Sequence, residues 1–310
     1  MTFVRDSDFS SHNLGEKNLW DNAALPARGK SWFRLTAPSF PAMLRRSPDY
    51  DLNHPIDVSE TAGVRYLHFG SDWVQGAMRI RRPYDLELAY TREMMAGLLL
   101  RGEGETCPDT AGGWPRSVLQ IGLGAGSLTR WLHHHVPGAK LTVVEINPRV
   151  VAMAAHLFKL PEESERLEIV IADGADFIAE ATRAWDWILV DGFDPDARTG
   201  RLGDESFFAG CMKRLTRRGL LTVNLLGRNR GFMGSVERLR NASEGRALVF
   251  PSCDSGNAVA FAATGEPLAE AMADLRLRAQ SLKTATGLDL LPTLTRLEQA
   301  GSLVGDALVF

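Results

Sequence analysis

The stretch Val118-Leu119-Gln120-Ile121-Gly122-Leu123-Gly124-Ala125-Gly126-Ser127 passes from a short apolar run into three glycines at alternate positions, and helical text follows from Leu128 to about His135. A strand that turns this sharply into a helix favours residues without a Cβ, and the bare backbone can then approach a ligand and aim amide donors at it. Gly122, Gly124 and Gly126 suit that use, although a tight strand-to-helix turn with no ligand would read the same way. Glu145 ends the next apolar run, Leu141 to Glu145, about twenty residues on, where an acidic side chain can accept hydrogen bonds from both hydroxyls of a ribose. Dinucleotide-binding loops carry a third glycine further along, where this chain has Ser127-Leu128. That difference favours a nucleoside without phosphates.

Downstream, strands and helices continue to alternate. Asn147-Pro148 opens a helix with proline just inside it, Leu167 to Ala172 reads as a third strand, Trp187 to Val190 as a fourth and Leu220 to Leu225 as a fifth. Leu248 to Pro251 and Ala258 to Ala262 flank Asp254-Ser255-Gly256-Asn257 as a closing hairpin, and two helices finish the chain. The pattern is that of an α/β protein with a mostly parallel sheet and crossovers on both faces. Open parallel sheets bind ligands at the carboxyl ends of their strands. Two acidic groups fall there, Asp173-Gly174 and Asp191-Gly192-Phe193-Asp194-Pro195. One such aspartate could as well be a helix cap. Glu145, Asp173, Asp191 and Asp194 together would repel one another, so an arginine or a cationic ligand is expected among them. Asp196 to Glu205, with Gly200 and Gly203, reads as a mobile loop over the site.

Upstream the texture differs. Residues 1-55, rich in Pro, Ser, Asn and Arg, read as an extension without a core of its own. Ile56 to Ile80 reads as a small sheet, with Val64 to Phe69 alternating at period two, and Leu86 to Leu100 as one helix ending in the glycine-rich stretch Gly102 to Gly113. Three parts are therefore expected: 1-55, a small β-sheet with its helix over 56-113, and a Rossmann-like nucleoside-binding domain with C-terminal helices over 114-310.

Composition narrows the partners. Lys plus Arg number 35 against 38 for Asp plus Glu, a net charge of -3, which provides no global field for nucleic acid or anionic lipid. Cys107, Cys211 and Cys253 are dispersed, so neither a disulfide framework nor a zinc site is expected and a reducing cytoplasm suits the chain. The first residues do not read as a secretory signal, and no apolar run approaches the roughly 18 residues of a membrane helix. His133-His134-His135 point in different directions on a helix and read as a solvated helix end. Arg79, Arg81 and Arg82 read as a solvated edge or ion pairs, and Trp185 and Trp187 as core or interface rather than a stacking platform.

From Arg65 to about Thr264 the chain resembles the spermidine synthases and their bacterial relatives, polyamine aminopropyltransferases built on the Rossmann-like fold of S-adenosylmethionine-dependent methyltransferases behind a small N-terminal β-sheet. The resemblance rests on Val144-Glu145-Ile146-Asn147, on Asp173-Gly174, and on Asp191 to Pro195. It implies that Glu145 holds a ribose, Asp173 contacts the adenine amino group, Asp191 is catalytic and Asp194 binds the polyamine. It further implies roles for Gln75 beside the donor and for Glu93 and Asp254 on the substrate side. The co-substrate would be S-adenosylmethionine or its decarboxylated form, with no metal, and the acceptor a small cationic amine such as putrescine. A homo-oligomer, a dimer, is implied as well, with Trp20 and Trp32 suggesting an arm between subunits.

The chain departs from the family at three positions. Ala125 replaces the Asp that binds the donor's terminal amine, Thr91 replaces a tyrosine with Tyr90 one residue out of register, and Cys253 replaces a second tyrosine. The expected chemistry is displacement at a carbon bonded to sulfonium, in which sulfur leaves as a neutral thioether and Asp191 takes a proton from the attacking amine. Three readings stand at this point: aminopropyl transfer, methyl transfer on the same scaffold, and a nucleoside-binding protein without catalysis. With Ala125 in place, ordinary S-adenosylmethionine is expected to bind within about 1.4 kcal/mol of the decarboxylated donor, a factor of about ten. Ala125→Asp is expected to widen the gap.

Overall fold

A computed structural model describes residues 31–33, 52–101, 113–194, 196–227, 231–253 and 256–310. Trp20, Cys107, Pro195, Asp254 and most of 1-55 lie outside the described residues. A four-stranded antiparallel sheet comes first, β1 (Ser31–Phe33), β2 (Asp57–Thr61), β3 (Val64–His68) and β4 (Gly76–Arg79), in the order β1-β2-β3-β4. The N-terminal segment thus contributes an edge strand, Trp32 pairing with Ser59 of β2, which its composition did not disclose.

The segment expected as one helix is broken. It forms α1 (Ala89–Met94) and α2 (Gly97–Arg101), with Leu86 to Leu88 outside both. Gly97 lies so near the Trp187 ring that an added Cβ would stand 2.6 Å from Cζ2. Close approach to the large sheet therefore decides the second helix, and both helices join the same apolar core as Val118 and Trp187.

The large sheet is assembled from β5 (Ser117–Ile121), α3 (Ser127–His135), β6 (Lys140–Glu145), α4 (Pro148–Leu157), β7 (Leu167–Ile171), α5 (Gly174–Glu180), β8 (Trp185–Val190), α6 (Glu205–Lys213), β9 (Leu215–Leu226), α7 (Phe232–Ala242), β10 (Ala247–Val249) and β11 (Asn257–Ala263). Its order is β10-β11-β9-β8-β5-β6-β7. The pairs among β5 to β9 are parallel, and β11 runs antiparallel to both β9 and β10, closing the sheet as a hairpin. Period-two alternation sends the two faces to different cores. Trp187, Leu189, Val259 and Phe261 enter one, while Ile188, Val190, Ala260 and Ala262 enter the other. Trp187 also donates its indole N–H to Thr222 at 2.8 Å.

Past the hairpin, β12 (Ala269–Ala271) pairs with β13 (Ala307–Val309), and α8 (Met272–Thr286) and α9 (Leu291–Gln299) lie between them. Their Leu275, Leu282, Leu294 and Leu297 complete the first core. At the end of α3, His134 stacks on Tyr84 with ring centroids 3.9 Å apart, and burial followed by the neighbouring His134 pushes His135 down to about 4. Arg79 pairs with Glu87 and Arg82 with Asp85. Among the described residues no helix is long and apolar enough to cross a membrane, and no group of three or more His, Cys, Asp or Glu is placed to hold a metal ion.

Candidate active site

The chain runs outward through β5, β6 and β7, then returns to the other side of β5 as β8. The crevice at that reversal, above the carboxyl ends of β5 and β8, is where such sheets take ligands. Gly122 leaves β5 with φ 90°, and a Cβ there would collide with the Asp191 carbonyl at the end of β8. Glycine at 122 therefore lets the loop and Asp191 come together. Gly124, at φ 54°, faces the main-chain carbonyl of Gln75, 3.1 Å from where its Cβ would be. Gly126 caps α3 with a left-handed backbone. The small sheet thus reaches the loop through Gln75.

Glu145 closes β6 and is buried, with Oε2 accepting from Leu123 N–H and Oε1 from Asn147 N–H, both at 2.9 Å. Burial raises its carboxyl above the ordinary range, and these and neighbouring amides draw it back. The main-chain amides of Leu123, Gly124, Ile146 and Asn147 thus converge on this one carboxylate. Asp173 caps α5, its Oδ1 accepting from Ala175 N–H at 2.7 Å, while Oδ2 meets Arg201 at 3.4 Å. Gly174 follows as the first residue of α5. Leu202 approaches both Gly174 and Gly192, lying 3.3 and 2.5 Å from where their Cβ atoms would be.

Asp191 carries a donor on each oxygen: Asn224 Nδ2 to Oδ1 at 2.8 Å and Tyr90 O–H to Oδ2 at 3.2 Å. Asn224 in turn accepts from Asn257 Nδ2 at 2.9 Å. Burial raises the Asp191 carboxyl, while the Asn224 and Tyr90 hydrogen bonds lower it. Burial first, and Asp191 next, hold the Tyr90 phenol well above its usual range, so it stays a donor. The pair of donors presents a fixed carboxylate at the crevice.

The expected cations are present. Arg201 bridges Asp173 and Asp176, and Arg198 pairs with Asp194 at 3.0 Å. Both come from the segment expected as a mobile loop, which contains a 3-10 turn at Gly200–Gly203. Glu93 sits away from solvent on α1 and pairs with Arg296 of α9. Asp254 lies outside the described residues. Ala125 is buried in an apolar cluster with Val58, Leu67 and Met78, and a Cβ on Gly76 would stand 2.5 Å from its own. Asn224 and Asn257 were missed in the sequence, although Asn224 is the one amide in the apolar run Leu220 to Leu225 and that interruption was the available signal.

Residues 93–225 match the spermine/spermidine synthase domain. A polyamine aminopropyltransferase of Neisseria meningitidis is 38% identical over 76% of this chain and 85% of its own length. One of Chromobacterium violaceum is 36% identical over 84% and 95%. Among solved structures, human methyltransferase-like protein 13 in complex with SAH superposes with a TM-score of 0.56 at 27% identity, covering 64% of this chain and 93% of that one. The glycine loop, the acidic strand ends and this overlap agree: the chain belongs to the spermine/spermidine synthase family and is an aminopropyltransferase of polyamine biosynthesis.

Proposed function

We propose that the crevice binds decarboxylated S-adenosylmethionine, with Glu145 on the ribose hydroxyls and Asp173 on the adenine amino group, and that Asp191 serves the attacking amine. The observation that carries the reading is the Asp191 carboxylate, held by Tyr90 and Asn224 with its main chain against Gly122. The amine nitrogen forms a bond to the aminopropyl carbon as the carbon–sulfur bond breaks, and 5'-methylthioadenosine departs. The proton passes from the amine to Asp191. Sulfur carries the positive charge beforehand and leaves neutral, so positioning does most of the work. Asp194 would face the far ammonium of a diamine such as putrescine. A dimer in the cytoplasm belongs to the same proposal, supported by the dispersed cysteines and by the edge strand β1.

The test is release of 5'-methylthioadenosine from decarboxylated S-adenosylmethionine in the presence of putrescine. Asp191→Asn should lower kcat by about 10² to 10⁴, the span general-base catalysis contributes. Equal turnover by the variant would reject the role.

Methyl transfer stands second. Ala125 offers no carboxylate to a donor ammonium, and the buried Arg130 guanidinium beside it donates to the carbonyls of Pro83, Ala125 and Phe158. Those contacts tie Arg130 to the loop, and the second reading rests on Ala125. Methylated product from ordinary S-adenosylmethionine, without 5'-methylthioadenosine, would favour this second reading.

A further inference from the structure

Asp194 and Arg198 form a closed unit. Asp194 N–H donates to the Arg198 carbonyl at 2.8 Å, and Ala197 N–H to the Asp194 carbonyl at 2.9 Å. Arg198 N–H then donates to Asp194 Oδ1 at 2.8 Å, and its Nε to Oδ2 at 3.0 Å. Main-chain donation alone would orient the carboxylate. The side-chain contact adds a cation on the oxygen that a substrate ammonium would need.

The same guanidinium has a second carboxylate. Arg198 Nη2 meets Asp196 at 2.6 Å, and the arginine side chain is 68% exposed against 19% for that of Asp194. Arg198 can therefore leave Asp194 and keep Asp196, so exchange does not strand a charge. An exposed pair of this kind is weak, and its loss changes an equilibrium by about two- to fivefold.

We propose that Arg198 is a specificity-determining residue: it holds the place of the acceptor's far ammonium on Asp194, and a diamine must displace it to bind. The inference rests on the proposed acceptor site at Asp194. A monoamine has no far ammonium and pays nothing for the exchange, so Arg198 narrows the preference of the site for diamines over monoamines.

The experiment measures kcat and KM for 1,4-diaminobutane and n-butylamine, with dissociation constants from calorimetry in the presence of 5'-methylthioadenosine. In Arg198→Ala, KM and the dissociation constant for the diamine should fall about two- to fivefold. Those for the monoamine and both kcat values should stay, and Arg198→Lys should lie between. A rise in the diamine constants would mean that Arg198 positions Asp194 productively, and unchanged constants would mean that it does not compete; either overturns the inference. Asp194→Asn separates the two levels. If it abolishes the preference for the diamine while Arg198→Ala changes nothing, the acceptor site stands and the competition fails. If Asp194→Asn leaves the preference intact, Asp194 does not read the ammonium, and the acceptor assignment and the inference fall together.

Discussion

The Tyr90 hydroxyl donates to Asp191 Oδ2 at 3.2 Å across 101 residues of sequence, bringing a side chain of α1 to the end of β8. Thr91, the position at which the resemblance expects a tyrosine, turns its hydroxyl back to the Leu88 carbonyl at 2.7 Å. Tyr90 supplies the phenol from one residue away.

That contact has a pH consequence. Asp191 is raised by burial and lowered by Asn224 and Tyr90. Tyr90→Phe removes one lowering contribution, so the carboxyl should hold its proton to higher pH. As the base must be ionised to accept a proton, the acidic limb of kcat/KM should move upward in pH. A limb that stays in place would show that Asp191 does not govern it.

Glu145 accepts from the glycine loop at Leu123 and, in the proposed reading, holds the ribose. Glu145→Ala should weaken 5'-methylthioadenosine binding by about 1 to 3 kcal/mol, the range for hydrogen bonds to a charged group. Calorimetry reads this directly, and unchanged affinity would remove Glu145 from the ribose site.

The segment from Asp196 to Glu205 is tied down by Arg201 on Asp173 and Asp176 and by Leu202 beside Gly174 and Gly192. Amide exchange across the segment should slow with saturating 5'-methylthioadenosine. Equal exchange in both states would argue against a gate.

The proposed donor selectivity bears on Ala125, which Gly76 approaches closely. Ordinary S-adenosylmethionine should bind within about tenfold of the decarboxylated donor, and competition calorimetry decides it. The structure revises what Ala125→Asp would do. With Gly76 against it in an apolar cluster, the larger acidic side chain should cost about 1 to 3 kcal/mol of stability, as overpacking does. Gly76→Ala should cost a similar amount by denaturant unfolding. A neutral Gly76→Ala would show that the contact has room.

The strand and helix alternation, the glycine turn and the acidic strand ends were legible because each is local: period two, a missing Cβ, or a side chain that closes an apolar run. Asn147 with Pro148 at the start of α4 belongs with them, and there the structure agrees. The break between α1 and α2 did not show, since helix periodicity runs straight through Met95 and the groups that Gly97 approaches, Trp187 and Leu220, stand far along the chain. The partner of Glu93, Arg296 of α9, stands 203 residues away and no local pattern pointed to it. The same limit hid Asn224 on Asp191, whereas Arg198 meets Asp194 from only four residues away, a spacing the sequence itself displays. Sequence by itself determined which groups stand at the sheet edge, because a strand end is specified by its own residues. Tertiary structure decided their charge partners and their freedom to meet a ligand, because those depend on contacts between segments that no local pattern encodes.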